Sequence, residues 1–180
     1  MRTATIVLVA YVMCVILAVV WRLMPAGFVR DAVPDLGAMT VAYLGLTARR
    51  QVAPAVGGAV VLGYLIDLIS GTPPGLAALV LGCTCLIARA AQQRILVRGT
   101  RMTVAFSAFV ALAASVVGLV IRAIYGVPRP TLTTDLRHIA LVTLATAFVG
   151  PLVLRVFRRI DAAFARTHRE RDAALEGLVP

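Results

Sequence analysis

The chain has 180 residues, 61% of them hydrophobic and 14% charged, with a mean hydropathy of +0.94. Soluble domains run at about 45–50% apolar and about 25% charged, so this composition excludes water as the main solvent. The net charge of +10 comes from eighteen arginines, no lysine and eight acids. In a soluble protein that excess would point to nucleic acid. Here the arginines stand at the ends of apolar runs, where they set the orientation of membrane helices instead.

A bilayer core of ~30 Å needs about 20 apolar residues per helix, so six spans would take roughly 120 residues and leave short loops and a tail. The first apolar run, 3–21, follows Arg2. It exceeds the length of a signal-peptide core and has no small-x-small cleavage site, so it reads as a retained helix. The second, 34–48, opens on Pro34 at the first helical position. Asp35 follows, with a carboxylate suited to the positive end of the helix dipole, and Arg49 and Arg50 stop the run. The third covers 52–70, with Pro54 in its first turn and Gly71 as a C-terminal stop.

In the turn Thr72-Pro73-Pro74-Gly75, Thr72 is placed to cap a fourth helix at 74–91, with the prolines fixing its first turn. This makes the third and fourth helices a tight hairpin. Arg89, Arg94, Arg98 and Arg101 mark the next loop. The fifth helix, 102–125, is interrupted only by Arg122, and Val127-Pro128-Arg129-Pro130 connects it to a sixth at 138–157. Gly150-Pro151 should kink that helix, because proline removes one ladder hydrogen bond. The sequence thus predicts one all-α transmembrane domain over 1–157 and a basic tail over 158–180, in which Ile160, Phe164 and Thr167 recur at helical spacing. With the N-terminus inside, thirteen arginines fall on the cytoplasmic side and five on the other, which places both termini in the cytoplasm.

Small residues let helix backbones approach closely in lipid. Ala55, Ala59 and Gly63 form such a stripe on the third helix and continue to Asp67; Ala78 and Gly82 stand on the fourth; Ala114 and Gly118 lead to Arg122 on the fifth. These faces can bind one another or a partner's single helix. Asp67 and Arg122 each lie about one turn from the outer end of their helix, and a charge at such a position calls for a partner or for water. Two arrangements meet that need: an Asp67–Arg122 ion pair, or Arg122 reaching the headgroups while Asp67 caps its local turn.

No catalytic constellation emerges. Ser70 has no neighbouring histidine, no Gly-x-Ser-x-Gly elbow exists, and a chain without lysine has no P-loop. Paired-carboxylate chemistry needs two converging acids, and Asp67 is the one acid well inside a helix. Cys14, Cys83 and Cys85 lie in apolar segments, where an odd count argues against a disulfide framework. His138 and His168 stand too far apart in the sequence to suggest a metal site. Neither a metal nor a cofactor is expected.

The stretch Gly63-Tyr64-Leu65-Ile66-Asp67-Leu68-Ile69-Ser70-Gly71, followed by Thr72-Pro73-Pro74-Gly75 and a helix start rich in Leu and Ala, resembles the signature of the rod shape-determining protein MreD family. Pro34-Asp35, the short helix after them, Tyr43 and the basic stop are also similar. The resemblance implies a non-enzymatic scaffold of lateral wall synthesis in the bacterial inner membrane. Its direct partner would be the bitopic protein MreC, and through it the MreB filament, the RodA glycosyltransferase and the elongation transpeptidase. It also gives Asp67, Ser70, Gly71 and Gly75 a part in shaping the hairpin. The Thr72-Pro73-Pro74 turn is stiffer than most versions of that loop.

Six helices in this length also resemble the substrate-binding subunit of energy-coupling-factor vitamin transporters, a fold the family is held to share. Against that function, the first helix offers only Cys14 with Ala18 where those subunits carry an Ala-x-x-x-Ala seam, and a chain that is 6% aromatic is poor in ligand-stacking groups. If the predicted orientation holds, a cysteine placed in the 89–101 loop of a chain freed of its own cysteines will be labelled only after the membrane is permeabilised.

Overall fold

A computed structural model describes residues 2–23, 32–47, 52–94, 99–126 and 131–176. They form six helices: α1 Arg2–Leu23, α2 Leu36–Thr47, α3 Ala53–Ser70, α4 Leu76–Arg94, α5 Thr100–Ile124 and α6 Leu132–Glu176. No strand occurs among the described residues. Five helices are long and apolar enough to cross a membrane, and α2 is a shorter apolar one. The stop at Arg49-Arg50 and the Val127-Pro128-Arg129-Pro130 connection lie outside the described residues.

The bundle is organised around α2. At 12 residues it is about 18 Å long, well short of a bilayer core, and every residue from Leu36 to Gly45 is buried. All five other helices pack against it. Such a helix is apolar all round and can live only inside the protein. Its core partners include Ile6 of α1, Leu62 of α3, Leu81 and Cys85 of α4, and Leu154 and Phe157 of α6. A second cluster joins Ala38 and Ala42 to Ala88 of α4 and to Phe106 and Val110 of α5.

The outside is as apolar as the inside. Leu8, Val12 and Ile16 on α1 and Leu144, Phe148 and Leu152 on α6 are exposed, Phe148 by 83%. That is the surface acyl chains require, because between helices and lipid there is no hydrophobic difference to gain.

Three helix boundaries differ from the sequence expectation. α2 begins at Leu36, with Pro34 before it and Asp35 as its N-cap. α4 begins at Leu76, so Pro73 and Pro74 shape the turn ahead of the helix. α6 begins at Leu132 and runs 45 residues to Glu176. The amides of Thr134 and Asp135 bond to the Thr131 carbonyl at 2.9 and 3.1 Å, and Asp135 sits in the first turn, where a carboxylate suits the dipole. At about 68 Å, α6 is more than twice the thickness of a bilayer core. The basic segment after 157 continues this helix.

Helix α6 passes through Gly150-Pro151 without a break. Its close contact there is with α5: a Cβ on Gly150 would collide with the side chain of Ser107 and come within 3.1 Å of Met39 Cε. Gly150→Ala is therefore expected to lower thermal stability in detergent by about 1–3 kcal/mol, read as heat-induced alkylation of the buried Cys85. Ser107→Gly in the same chain should recover part of the loss. Gly57→Ala, where nothing lies within 4 Å, should change little.

Candidate functional site

The hairpin between α3 and α4 is built on one carboxylate. Asp67 is 2% exposed and stands one turn before the end of α3, where the Gly71 amide bonds to its carbonyl at 3.1 Å. Gly71 closes α3 with φ 65°, ψ 20°, a left-handed conformation that glycine adopts without steric cost. The chain then turns back so that the first turn of α4 lies over the Asp67 side chain.

Both carboxylate oxygens are fully engaged. Thr72 Oγ1 donates to Oδ1 at 2.6 Å and the Gly75 amide donates to Oδ2 at 3.0 Å. The Ala77 amide is shared between both oxygens at 3.0 Å, and the Ala78 amide reaches Oδ2 at 3.4 Å. The other two amides of this turn go to backbone, Leu76 to the Pro73 carbonyl at 3.2 Å and Leu79 to the Gly75 carbonyl at 3.0 Å. All four amides that begin α4 are thus satisfied within the protein. Asp67 works as an N-cap from a neighbouring helix, a charge-assisted one on the positive end of the α4 dipole.

Gly63, one turn earlier, makes the approach feasible. A Cβ there would lie 2.5 Å from Ala78 Cα and 2.6 Å from Ala77 O, so any side chain would push the α4 backbone off the carboxylate. Ala78 is buried in the same contact, and Ala55 and Ala59 are buried along α3. Gly82 is buried facing Val60. Of the two readings open for the small-residue faces, those of α3 and α4 serve the chain's own packing. Ser70 is exposed and Gly75 takes φ 95°, so both are parts of the turn.

The expected Asp67–Arg122 pair is not formed. Asp67 spends its oxygens on α4, Arg122 is exposed, and among the described residues no ion pair joins them. The capping alternative comes closer, with the difference that Asp67 caps the next helix as well as closing its own. Thr72, expected as the cap, instead donates to Asp67.

Two further polar ties hold α2; the sequence placed the Asp35 carboxylate at the start of this helix, but not the ties to α6. Asp35 Oδ1 accepts from the Ala38 amide at 2.7 Å, a side-chain N-cap. The Asp35 amide donates to Thr146 Oγ1 on α6 at 2.9 Å. Near the other end, the Tyr43 ring stacks on Phe157 with centroids 5.4 Å apart. Its hydroxyl donates to the Phe157 carbonyl at 3.3 Å and to Asp161 Oδ2. Asp161, in the segment expected to be a basic tail, thus anchors α6 to the central helix. The cap had a readable signal in an acid directly before an apolar run, whereas a threonine inside an apolar helix carries none.

Among the described residues no group of three His, Cys, Asp or Glu side chains could hold a metal. The chain is thus a multi-span α-helical membrane protein in which, among the described residues, the one fully buried carboxylate within a helix is committed to joining two helices. The model of the rod shape-determining protein MreD family matches residues 1–159, and the chain belongs to that family. It is accordingly a non-enzymatic membrane scaffold of bacterial cell-shape determination. No curated protein and no solved structure matches the chain.

Asp67→Ala is expected to cost about 1.5–3 kcal/mol of stability by orphaning the α4 amides, and Asp67→Asn less, since one acceptor oxygen remains. Thermal unfolding in detergent measures both. An Asp67→Arg/Arg122→Asp exchange should be no more stable than Asp67→Arg alone.

Proposed function

We propose that this chain is an anchor of the cell-elongation machinery with six transmembrane segments, the short α2 passing through the protein interior as one of them, with both termini in the cytoplasm and a bundle like that of the substrate-binding subunit of energy-coupling-factor transporters. It binds an MreC-type bitopic protein directly. Through that protein it is linked to the MreB filament, the RodA glycosyltransferase and the elongation transpeptidase. The observation that carries the reading is the family match over residues 1–159. In support, residues of the signature hairpin hold structure: Gly63 and Asp67 are consumed by the α3–α4 contact.

The cytoplasmic arginines suit this placement. Arg155, Arg158 and Arg159 are exposed on α6, and basic residues at that level attract anionic lipid by about 1 kcal/mol each. A helix extending past the bilayer on the same side gives the anchor reach toward a cytoplasmic filament.

Depletion of the protein in a rod-shaped host is expected to round the cells while vitamin uptake stays normal. Photo-crosslinkers on the exposed faces of α1 and α6 should capture a single-span membrane protein. Unchanged shape together with impaired uptake would overturn the scaffold in favour of a transporter subunit.

A further inference from the structure

A cavity of about 460 Å³ opens between α4, α5 and α6 at the end of the bundle that carries Asp35 and Asp67. That volume lies in the range of sites for small ligands, ~300–1,000 Å³. Its walls are apolar, with Val80 and Leu81 of α4, Leu119 of α5 and Val142 of α6. Its charged side chains and its histidine come from helix ends: Arg122 is two residues before the end of α5, and Asp135 and His138 lie in the first two turns of α6.

The cavity exists because Gly118 of α5 does not meet a helix backbone at this level. At the other end of the α5–α6 pair, Gly150 sits hard against Ser107. Here a Cβ on Gly118 would find nothing nearer than Val80 Cγ2 at 3.9 Å; Gly118 and Ser115 line open space, which ends at Ala114, 2% exposed and packed in the core with Ala38, Ala42 and Ala88. From Arg122 inward to Ala114 the wall runs about 12 Å at the helical rise. Gly118, expected on a helix-packing face, faces this cavity with Val80 at ordinary contact distance.

Two opposite charges line this space from different helices. Arg122 and Asp135 both face it, yet among the described residues no ion pair joins them. Asp35 also lines it, with its Oδ1 accepting from Ala38. Ionisable groups that converge on one space in a membrane protein mark a candidate functional site, and a space with such polar lining holds water unless a ligand displaces it. Charge at the headgroup level above an apolar wall has the polarity profile of a phospholipid standing in its leaflet. The presence of carboxylates beside Arg122 disfavours a ligand of net negative charge.

We propose that this cavity seats one zwitterionic phospholipid, its phosphate on Arg122, its ammonium on Asp135 and the upper part of an acyl chain along Gly118 and Ala114. The site does not depend on the scaffold reading, and it gives Arg122 the partner that Asp67 does not supply.

The test is native mass spectrometry of the full-length protein in detergent, titrated with dioleoyl phosphatidylethanolamine or dioleoyl phosphatidylglycerol. Wild type should retain one phosphatidylethanolamine about fivefold more tightly than phosphatidylglycerol, and Arg122→Gln should weaken that retention by a similar factor, as expected for one charge near the surface. Asp135→Asn should remove the preference between the two lipids. Gly118→Leu, which fills the cavity, should abolish specific retention; if it fails to fold, the two charge variants decide. Equal retention of both lipids by wild type, or unchanged retention in Arg122→Gln, overturns the proposal. So does a Gly118→Leu chain that keeps its lipid but loses crosslinking to a single-span protein, which would assign the cavity to a protein segment.

Discussion

The bundle depends on a carboxylate that serves a helix other than its own. A transmembrane hairpin must reverse direction without leaving backbone amides bare, and loop water cannot be relied on at the buried end of a turn. Asp67 resolves this by reaching across from α3 to the amides of α4. The bond network requires near contact of the two backbones, which Gly63 permits, and a reversal within a few residues, which Gly71 permits through its left-handed conformation. The four features are one device, so loss of any member displaces the others.

With that hairpin fixed, α2 has a wall to pack against. A helix shorter than a bilayer core is held in place by burial on every side and by polar ties at its two ends. Asp35 and Thr146 hold one end, and Tyr43 with Phe157 and Asp161 hold the other. Both ties end on α6, which therefore braces the central helix along its whole length. Such a core is consistent in character with a scaffold, since polar groups buried in lipid fix one arrangement more strongly than apolar contacts alone.

The same economy of polar groups separates structure from binding. Buried side chains that make hydrogen bonds within the bundle, such as Asp67 and Tyr43, are unavailable to ligands. Arg122 and Asp135 are charged, face a shared cavity and are not paired with each other. The α3–α4 hairpin and the cavity lie side by side, with Thr72 common to both. A ligand in the cavity would therefore touch the turn that the family signature specifies.

Much of this was set by composition and pattern. Apolar run length and arginine-marked ends are local properties, and they determined an all-α membrane protein and the approximate place of its helices. Gly71 as a stop and the signature around Asp67 were also readable, because each is a short-range conformational demand. The tertiary structure decided which groups meet. Asp67 has both a cation and a helix terminus within plausible reach in sequence terms, and the choice of the terminus follows from the turn geometry of Thr72 to Gly75. Asp161 looks like one acid in a basic tail until α6 is seen to run unbroken past Pro151 and bring it to Tyr43. Gly118 and Gly63 carry the same residue type on the same kind of stripe; one meets a backbone and the other an open cavity, because how far apart two helices lie depends on everything packed around them and not on the residue itself.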